Sequence, residues 1–253
     1  MPLSCSCFTR RRFLGTALAG PPLLLAGCDD PPALVPTETV EAMGLEAWSE
    51  ITASVPVSSD AGLRSALTRV SARLLTELGQ APEDWEAQVF ASSDINAFAL
   101  PGRKIGIYEG MFQVMQTEDQ LAAIVGHEIG HLAENHAQER ISAQVATDTG
   151  LRIIAWLLNA GEVEYADEIG AALGLGAQVG LLLPYSRSHE LEADAFGLQA
   201  MVNAGYDGQE AVTLWQRMEQ VSGPRAPQFL ATHPVPETRI EELREMLARI
   251  EAG

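Results

Sequence analysis

Cysteine is nearly missing from this chain of 253 residues, and the three present, Cys5, Cys7 and Cys28, all fall in its first stretch. A thiol nucleophile and a disulfide framework in the folded part are excluded on that count. Basic side chains are scarce too: 16 Lys and Arg stand against 34 Asp and Glu, for a formal net charge of -18. Such a balance would neutralise no phosphates, which argues against a nucleic-acid partner and against a polybasic membrane patch. Long apolar runs are also lacking. The segments 151–158 and 169–183 are too short to span a bilayer, which needs roughly 20 apolar residues. No period of about 20–50 residues repeats, which excludes a solenoid. What is present is a hydrophobic fraction of 47%, enough to bury the core of one ordinary domain.

The N-terminus reads as an address. Thr9-Arg10-Arg11-Arg12-Phe13-Leu14 has the form of a twin-arginine export pattern, and an apolar run from Gly15 to Ala26 follows it. Leu25-Ala26-Gly27-Cys28 has the form of a bacterial lipobox, in which the Cys is lipidated and becomes the new N-terminus. The competing readings are an uncleaved signal anchor and a chance Cys. Residues 1–27 are therefore expected to be an export signal, 28–41 a Pro-containing tether, and 42–253 the folded domain. Cleavage before Cys28 removes Arg10, Arg11, Arg12 and no acid, so the charge of -18 becomes -21. The lipid at Cys28 would hold the protein to a membrane on the periplasmic side.

Apolar residues at helical spacing from Leu63 to Leu78 predict a helix capped by Asp60 and stopped by Gly79. Short β-prone pieces over 87–108, split by Asp94, Asn96 and Pro101-Gly102, predict a small sheet. Thr117 with Gln120 forms a capping box, and the helix behind it is predicted to run from Glu118 to about Ser142. Further helices are predicted from Arg187 to Asn203, over 208–221 behind an Asp207–Glu210 box, and from Pro236 to Glu251.

Within the capped helix stands His127-Glu128-Ile129-Gly130-His131. Residues four apart share a helical face, so both imidazoles can point at one metal ion, with Glu128 beside it to take a proton from bound water. A catalytic zinc needs a third protein ligand and an open position. A third His six residues beyond His131, with a Gly midway, is ruled out, because those places hold Ala137 and Glu134. His136 is out of register by one and reads as a surface His or as support behind a ligand. A Glu from a later helix is the other route. Glu190 and Asp194 share a face, Glu190 as ligand and Asp194 as hydrogen-bond partner of a ligating His. A solvated acidic face is the competing reading for the pair. Glu192 should face elsewhere, and His189, about 100° round the helix from Glu190, reads as structural. His233 is either a loop His before Pro234 or a regulatory fourth ligand that reaches the open zinc position.

These blocks resemble the HtpX and CAAX prenyl protease family of gluzincin zinc metallopeptidases, and within it short bacterial envelope lipoproteins related to BepA and LoiP. The residues that carry the resemblance are Asn96-Ala97-Phe98 with Pro101-Gly102, the stretch Glu118 to His131, and Tyr185-Ser186-Arg187 with Glu190 and Ala193-Asp194. Thr232-His233-Pro234 with Arg239-Ile240 completes them, so that residues 60–250 are covered. The resemblance implies one zinc per chain at His127, His131 and Glu190, with Glu128 catalytic and Asp194 supporting it. It implies an α+β, mostly α, zincin-like metallopeptidase domain with a small antiparallel sheet beside the active-site helix. An edge strand near 96–108 would pair with an extended substrate. The chain leaves no room for the tetratricopeptide repeats of BepA and lacks the transmembrane helices of HtpX.

The expected function is a zinc-dependent endopeptidase of the bacterial cell envelope that hydrolyses misfolded or stalled envelope proteins. Its partners would be polypeptide substrates, the membrane through Cys28, and the envelope assembly machinery. The alternatives are a zinc-stabilised chaperone or outer-membrane assembly factor with little proteolysis, and a peptidoglycan or other amide hydrolase.

Overall fold

The structure is a computed structural model that describes residues 33–147, 185–221, 227–233 and 238–252. The export signal, Cys28, the apolar segments 151–158 and 169–183, and Pro236 lie outside the described residues.

Helix α1 (Thr37–Ser54) buries Val40, Gly44 and Trp48, one residue per turn on a single face. It starts inside the segment read as a tether, and the burial of Val40 makes residues 37–41 part of the packed domain. Helix α2 (Ala61–Glu77) begins at Asp60, whose carboxylate accepts from the Gly62 and Leu63 N–H groups at 2.8 and 3.1 Å. It gives way to Gly79, where φ is 67°.

A three-stranded sheet follows, in the order β1-β3-β2 (β1 Glu86–Phe90, β2 Ala97–Leu100, β3 Lys104–Tyr108). It is mixed. β2 and β3 are antiparallel, but β1 lies parallel to β3, so the expected all-antiparallel sheet is corrected. The reason is the path from Phe90 to Ala97, which carries the chain past the central position to the far edge before Pro101-Gly102-Arg103 turns it back. β3 takes the centre and buries Ile105, Gly106 and Ile107. The outer edge of β2 has no strand partner among the described residues.

Helix α3 (Glu118–Ala133) runs through the core, with every residue from Gln120 to His131 buried. Thr117 Oγ1 accepts from the Gln120 N–H at 3.2 Å, while the Gln120 side chain accepts from Gln116 N–H at 2.7 Å, one residue before the reciprocal position of a capping box. The helix stops at Ala133, earlier than predicted. Asn135 adopts φ 58°, a left-handed conformation that Asn tolerates, and a second helix, α4, starts at once over residues 136–147.

Helix α5 (Arg187–Asn203) crosses α3 at backbone contact, because glycines occupy the crossing. A Cβ on Gly197 would lie 2.6 Å from the His127 nitrogen, and one on Gly130 would lie 2.9 Å from the Ala193 carbonyl oxygen. This approach brings the first two turns of α5 beside His127 and His131. Gly197→Val should therefore destabilise the protein by about 3 kcal/mol, the upper part of the usual overpacking range. Denaturant unfolding measures this; an unchanged midpoint would show that the crossing has slack.

Helices α6 (Gln209–Val221), α7 (Gln228–Thr232) and α8 (Arg239–Ala252) close the core with Leu214, Trp215, Met218, Phe229, Leu243 and Leu247. Glu210 does not complete the predicted box with Asp207. Its carboxylate accepts from Gln120 Nε2 at 2.6 Å, and Asp119 takes the Asp207 N–H at 2.8 Å.

Candidate metal centre

His127, His131, Glu190 and His233 meet in the interior, with their ligand atoms all within 4.8 Å of one another. Each is at most 2% exposed. The two imidazoles come from successive turns of α3, and Glu190 comes from the first turn of α5. His233 follows α7, where its ring stacks on Phe229 at 4.4 Å.

Four hydrogen bonds and one ring contact set the orientation of these groups. His127 Nδ1 lies 2.9 Å from Asp194 Oδ1. A carboxylate only accepts, so Nδ1 carries the hydrogen and Nε2 turns its lone pair inward. Arg239, fully buried, donates from Nε and Nη2 to both Asp194 oxygens at 2.8 and 2.7 Å. Its Nη1 donates to Glu190 Oε2 at 2.6 Å, and its guanidinium lies 3.5 Å over the Trp215 ring. One cation thus holds Glu190 and Asp194 of α5 in place.

Glu128 projects beside the cluster. Its Oε2 accepts from the Ala99 N–H of β2 at 2.8 Å, while its Oε1 is buried without a hydrogen bond. The nearest ring nitrogen to Oε1, His233 Nε2, stands 3.5 Å away, too far for a good bond.

Charge and burial shift the titrations. Burial opposes a charged His127, but the hydrogen bond and charge of Asp194, with Glu190 beyond, raise its pKa. Burial drives His131 well below the ordinary value, against the pull of Glu190. For Glu190, burial alone would raise the pKa; the imidazoles of His131, His233 and His127 and the Arg239 guanidinium packed around it hold it far below the carboxylate range. Burial would likewise raise Asp194, and Arg239 and His127 depress it. Tyr185, whose ring stacks on His131 at 3.8 Å, is pushed up to about 12 by burial.

The cluster fits a tetrahedral cation of zinc's size. Four donors at about 2.0–2.1 Å from a common zinc stand about 3.3 Å apart. His127 Nε2 lies 3.1 Å from His131 Nε2 and 3.6 Å from Glu190 Oε2. His131 Nε2 is 3.4 Å from Glu190 Oε1, and His233 Nδ1 is 3.3 and 3.1 Å from His127 Nε2 and Glu190 Oε1. The charge agrees as well. Glu128, Glu190 and Asp194 face one Arg239, an excess of two negative charges that a divalent cation would neutralise.

The structure brings His127, His131, Glu190, Glu128 and Asp194 together, and His233 joins them. The surface reading of His136 is corrected. It is fully buried, because the break at Asn135 turns it back against His131, with the two Nδ1 atoms 2.9 Å apart. Glu192 faces away from the cluster but meets His136 Nε2 at 3.0 Å. His189 bonds Glu139 at 3.0 Å and stacks on His136 at 4.4 Å. Sequence reasoning assigned no role to Arg239, Tyr185 or Trp215. Arg239 and Tyr185 stand inside the blocks that carried the family resemblance, but nothing in their spacing shows that they reach the site.

Buried helix-borne imidazoles, a carboxylate from a second helix and a small sheet alongside define a zincin-like metallopeptidase domain. The family model for peptidase family M48 matches residues 63–247, and the chain belongs to that family. Curated relatives agree. The chain is 34% identical over 183 residues to mitochondrial metalloendopeptidase OMA1 of Schizosaccharomyces pombe, covering 72% of this chain and 52% of that protein. It is 32% identical over 170 residues to metalloendopeptidase OMA1 of Bos taurus, 65% of this chain and 32% of that one. It is 25% identical over 203 residues to the beta-barrel assembly-enhancing protease of Escherichia coli strain K12, 77% of this chain and 41% of that one. The chain thus spans about half, or less, of the length of these relatives.

Proposed function

We propose that this chain is a zinc-dependent endopeptidase of the bacterial cell envelope, acting on misfolded or stalled envelope proteins. The observation that carries the reading is the four-donor cluster, with five separations between 3.1 and 3.6 Å, beside an unpartnered Glu128 oxygen. His127, His131 and Glu190 would hold the zinc and Asp194 would keep His127 in its ligating tautomer. When bound, the zinc would acidify a water and polarise the substrate carbonyl.

The chain's own residues do the rest. The outer edge of β2 carries no strand among the described residues, and an extended peptide can hydrogen-bond to it as an added strand. The Ala99 N–H anchors Glu128 through Oε2 and leaves Oε1 to accept a proton from the attacking water. Glu128 then delivers that proton to the leaving amine. An intact base beside the cluster speaks for hydrolysis over a purely holding or assembly role.

His233 is read as a regulatory fourth ligand that restrains the site. His233→Ala should raise the initial rate of cleavage of an unfolded protein severalfold. No change in a time course at saturating zinc would remove that role.

Envelope location and a lipid at Cys28 rest on the export pattern and lipobox, and on kinship with a protease named for beta-barrel assembly. No helix among the described residues is long and apolar enough to cross a membrane. Metal analysis of the purified protein, paired with cleavage of unfolded protein with and without chelator, tests the whole reading. One zinc per chain and chelator-abolished cleavage are expected; chelator-resistant cleavage would overturn it.

A further inference from the structure

The two helical imidazoles are oriented in different ways. His127 has its own buried carboxylate, Asp194. His131 has none. Its Nδ1 faces another imidazole, His136, at 2.9 Å, and the far nitrogen of that ring faces Glu192 at 3.0 Å. Glu192 keeps its side chain 56% exposed, whereas His136 is fully buried.

Two ring nitrogens at hydrogen-bond distance share one hydrogen, and the end of the chain decides which carries it. Glu192 can only accept, so His136 presents N–H from Nε2 and a bare lone pair from Nδ1. The hydrogen between the rings then belongs to His131 Nδ1, and His131 Nε2 is left bare, turned toward His127 Nε2 and Glu190 Oε1. The opposite polarity would set the His136 Nε2 lone pair against a carboxylate. The stack of His189 on His136 at 4.4 Å and the bond of His189 to Glu139 keep the relaying ring from turning.

From this we infer that His136 and Glu192 are positioning residues for the metal site: a carboxylate–imidazole relay from the surface that fixes His131 in the one tautomer able to ligate zinc. The inference rests on the metal reading proposed above. It gives the chain a hydrogen-bonded route from an exposed acid to a metal ligand, so that changes at residue 192 reach the metal without touching it.

The test is zinc affinity, measured by competition with a chromophoric chelator on the full chain and paired with the melting of the zinc-free protein. His136→Leu should weaken zinc binding 10–100-fold, the usual effect of losing a partner behind a ligand. His136→Asn, whose amide oxygen can accept from His131 Nδ1, should recover most of that loss, which a packing role alone would not allow. Glu192→Lys replaces the acceptor by a donor and should weaken zinc about tenfold more than Glu134→Lys, which makes the same charge change at an exposed acid off the relay. Because Glu192 is exposed, that arm decides even if His136→Leu does not fold. Wild-type zinc affinity in folded His136→Leu, or equal affinities in Glu192→Lys and Glu134→Lys, would overturn the relay. If the parent protein binds zinc no better than His127→Ala, the metal reading itself fails and the relay falls with it.

Discussion

Glu128→Gln is expected to keep its zinc and lose about 10²–10⁴ in the rate of peptide cleavage, the usual contribution of a general base. The substitution is nearly isosteric, and the amide oxygen can keep the bond that Glu128 Oε2 accepts from the Ala99 N–H at 2.8 Å. What disappears is the second oxygen, buried and without a partner, which is the group placed to take a proton. An amide nitrogen there has no basic lone pair to offer. The fold should hold, because Glu128 has no buried cation to leave behind; its strong partner is a backbone N–H. Single-turnover cleavage of an unfolded protein, with metal content measured on the same sample, checks both halves. Undiminished cleavage would remove Glu128 from the chemistry, and loss of zinc would make it a ligand.

The second large effect belongs to a residue that touches no reacting atom. Arg239→Met should destabilise the zinc-free protein by about 3–5 kcal/mol, the cost of breaking a buried ion pair from one side. Met keeps a flexible apolar stem against Trp215 but leaves Asp194 and Glu190 buried with no cation. Zinc should restore part of the loss, since it binds the folded state and supplies the missing charge. Chemical unfolding with chelator and with excess zinc measures both. A loss below about 0.5 kcal/mol, typical of surface changes, would show that the guanidinium is dispensable.

A pH dependence follows from the same contacts. Folded-state pKa values of Asp194 and Glu190 are depressed below their unfolded values, Arg239 and the neighbouring imidazoles outweighing burial in each case. Their stabilising contribution is therefore complete above the ordinary carboxylate range and is lost as pH falls from that range down through their depressed folded-state values. Arg239→Met removes part of the depression, so its stability should fall less steeply on acidification than that of the parent. Parallel acid limbs in the two proteins would contradict this.

Much of the site was legible in the sequence because it is local to two helices. His127 and His131 need only the period of α3, and Glu190 and Asp194 need only the period of α5. The Asp60 cap and the Gly79 stop of α2 were legible for the same reason: each acts through its own backbone neighbourhood. What was not legible depends on distant partners. Arg239 looks like any charged residue at the start of an amphipathic helix until α8 folds against α5, and only then does its guanidinium find two carboxylates. The direction of β1 was hidden because alternating polarity reads alike in parallel and antiparallel pairs, and only the path through Phe90 to Ala97 decides it. The break after Ala133 was missed for a subtler reason. Apolar spacing resumes beyond it at Ala137 and Ile141, so the sequence reads as one helix, although Asn135 offered the left-handed residue that ends it. That single turn brings His136 into contact with His131, in place of the surface position that was one of its two readings.

The central claim is that His127, His131 and Glu190, from two helices, close on one zinc ion. Anomalous diffraction at the zinc absorption edge, from crystals grown with one equivalent of zinc, tests it most directly. The expected map has a single strong peak between His127 Nε2, His131 Nε2 and the Glu190 carboxylate, with Asp194 still bonded to His127 Nδ1. A peak elsewhere, or none, with Glu190 turned away from both imidazoles, would contradict it.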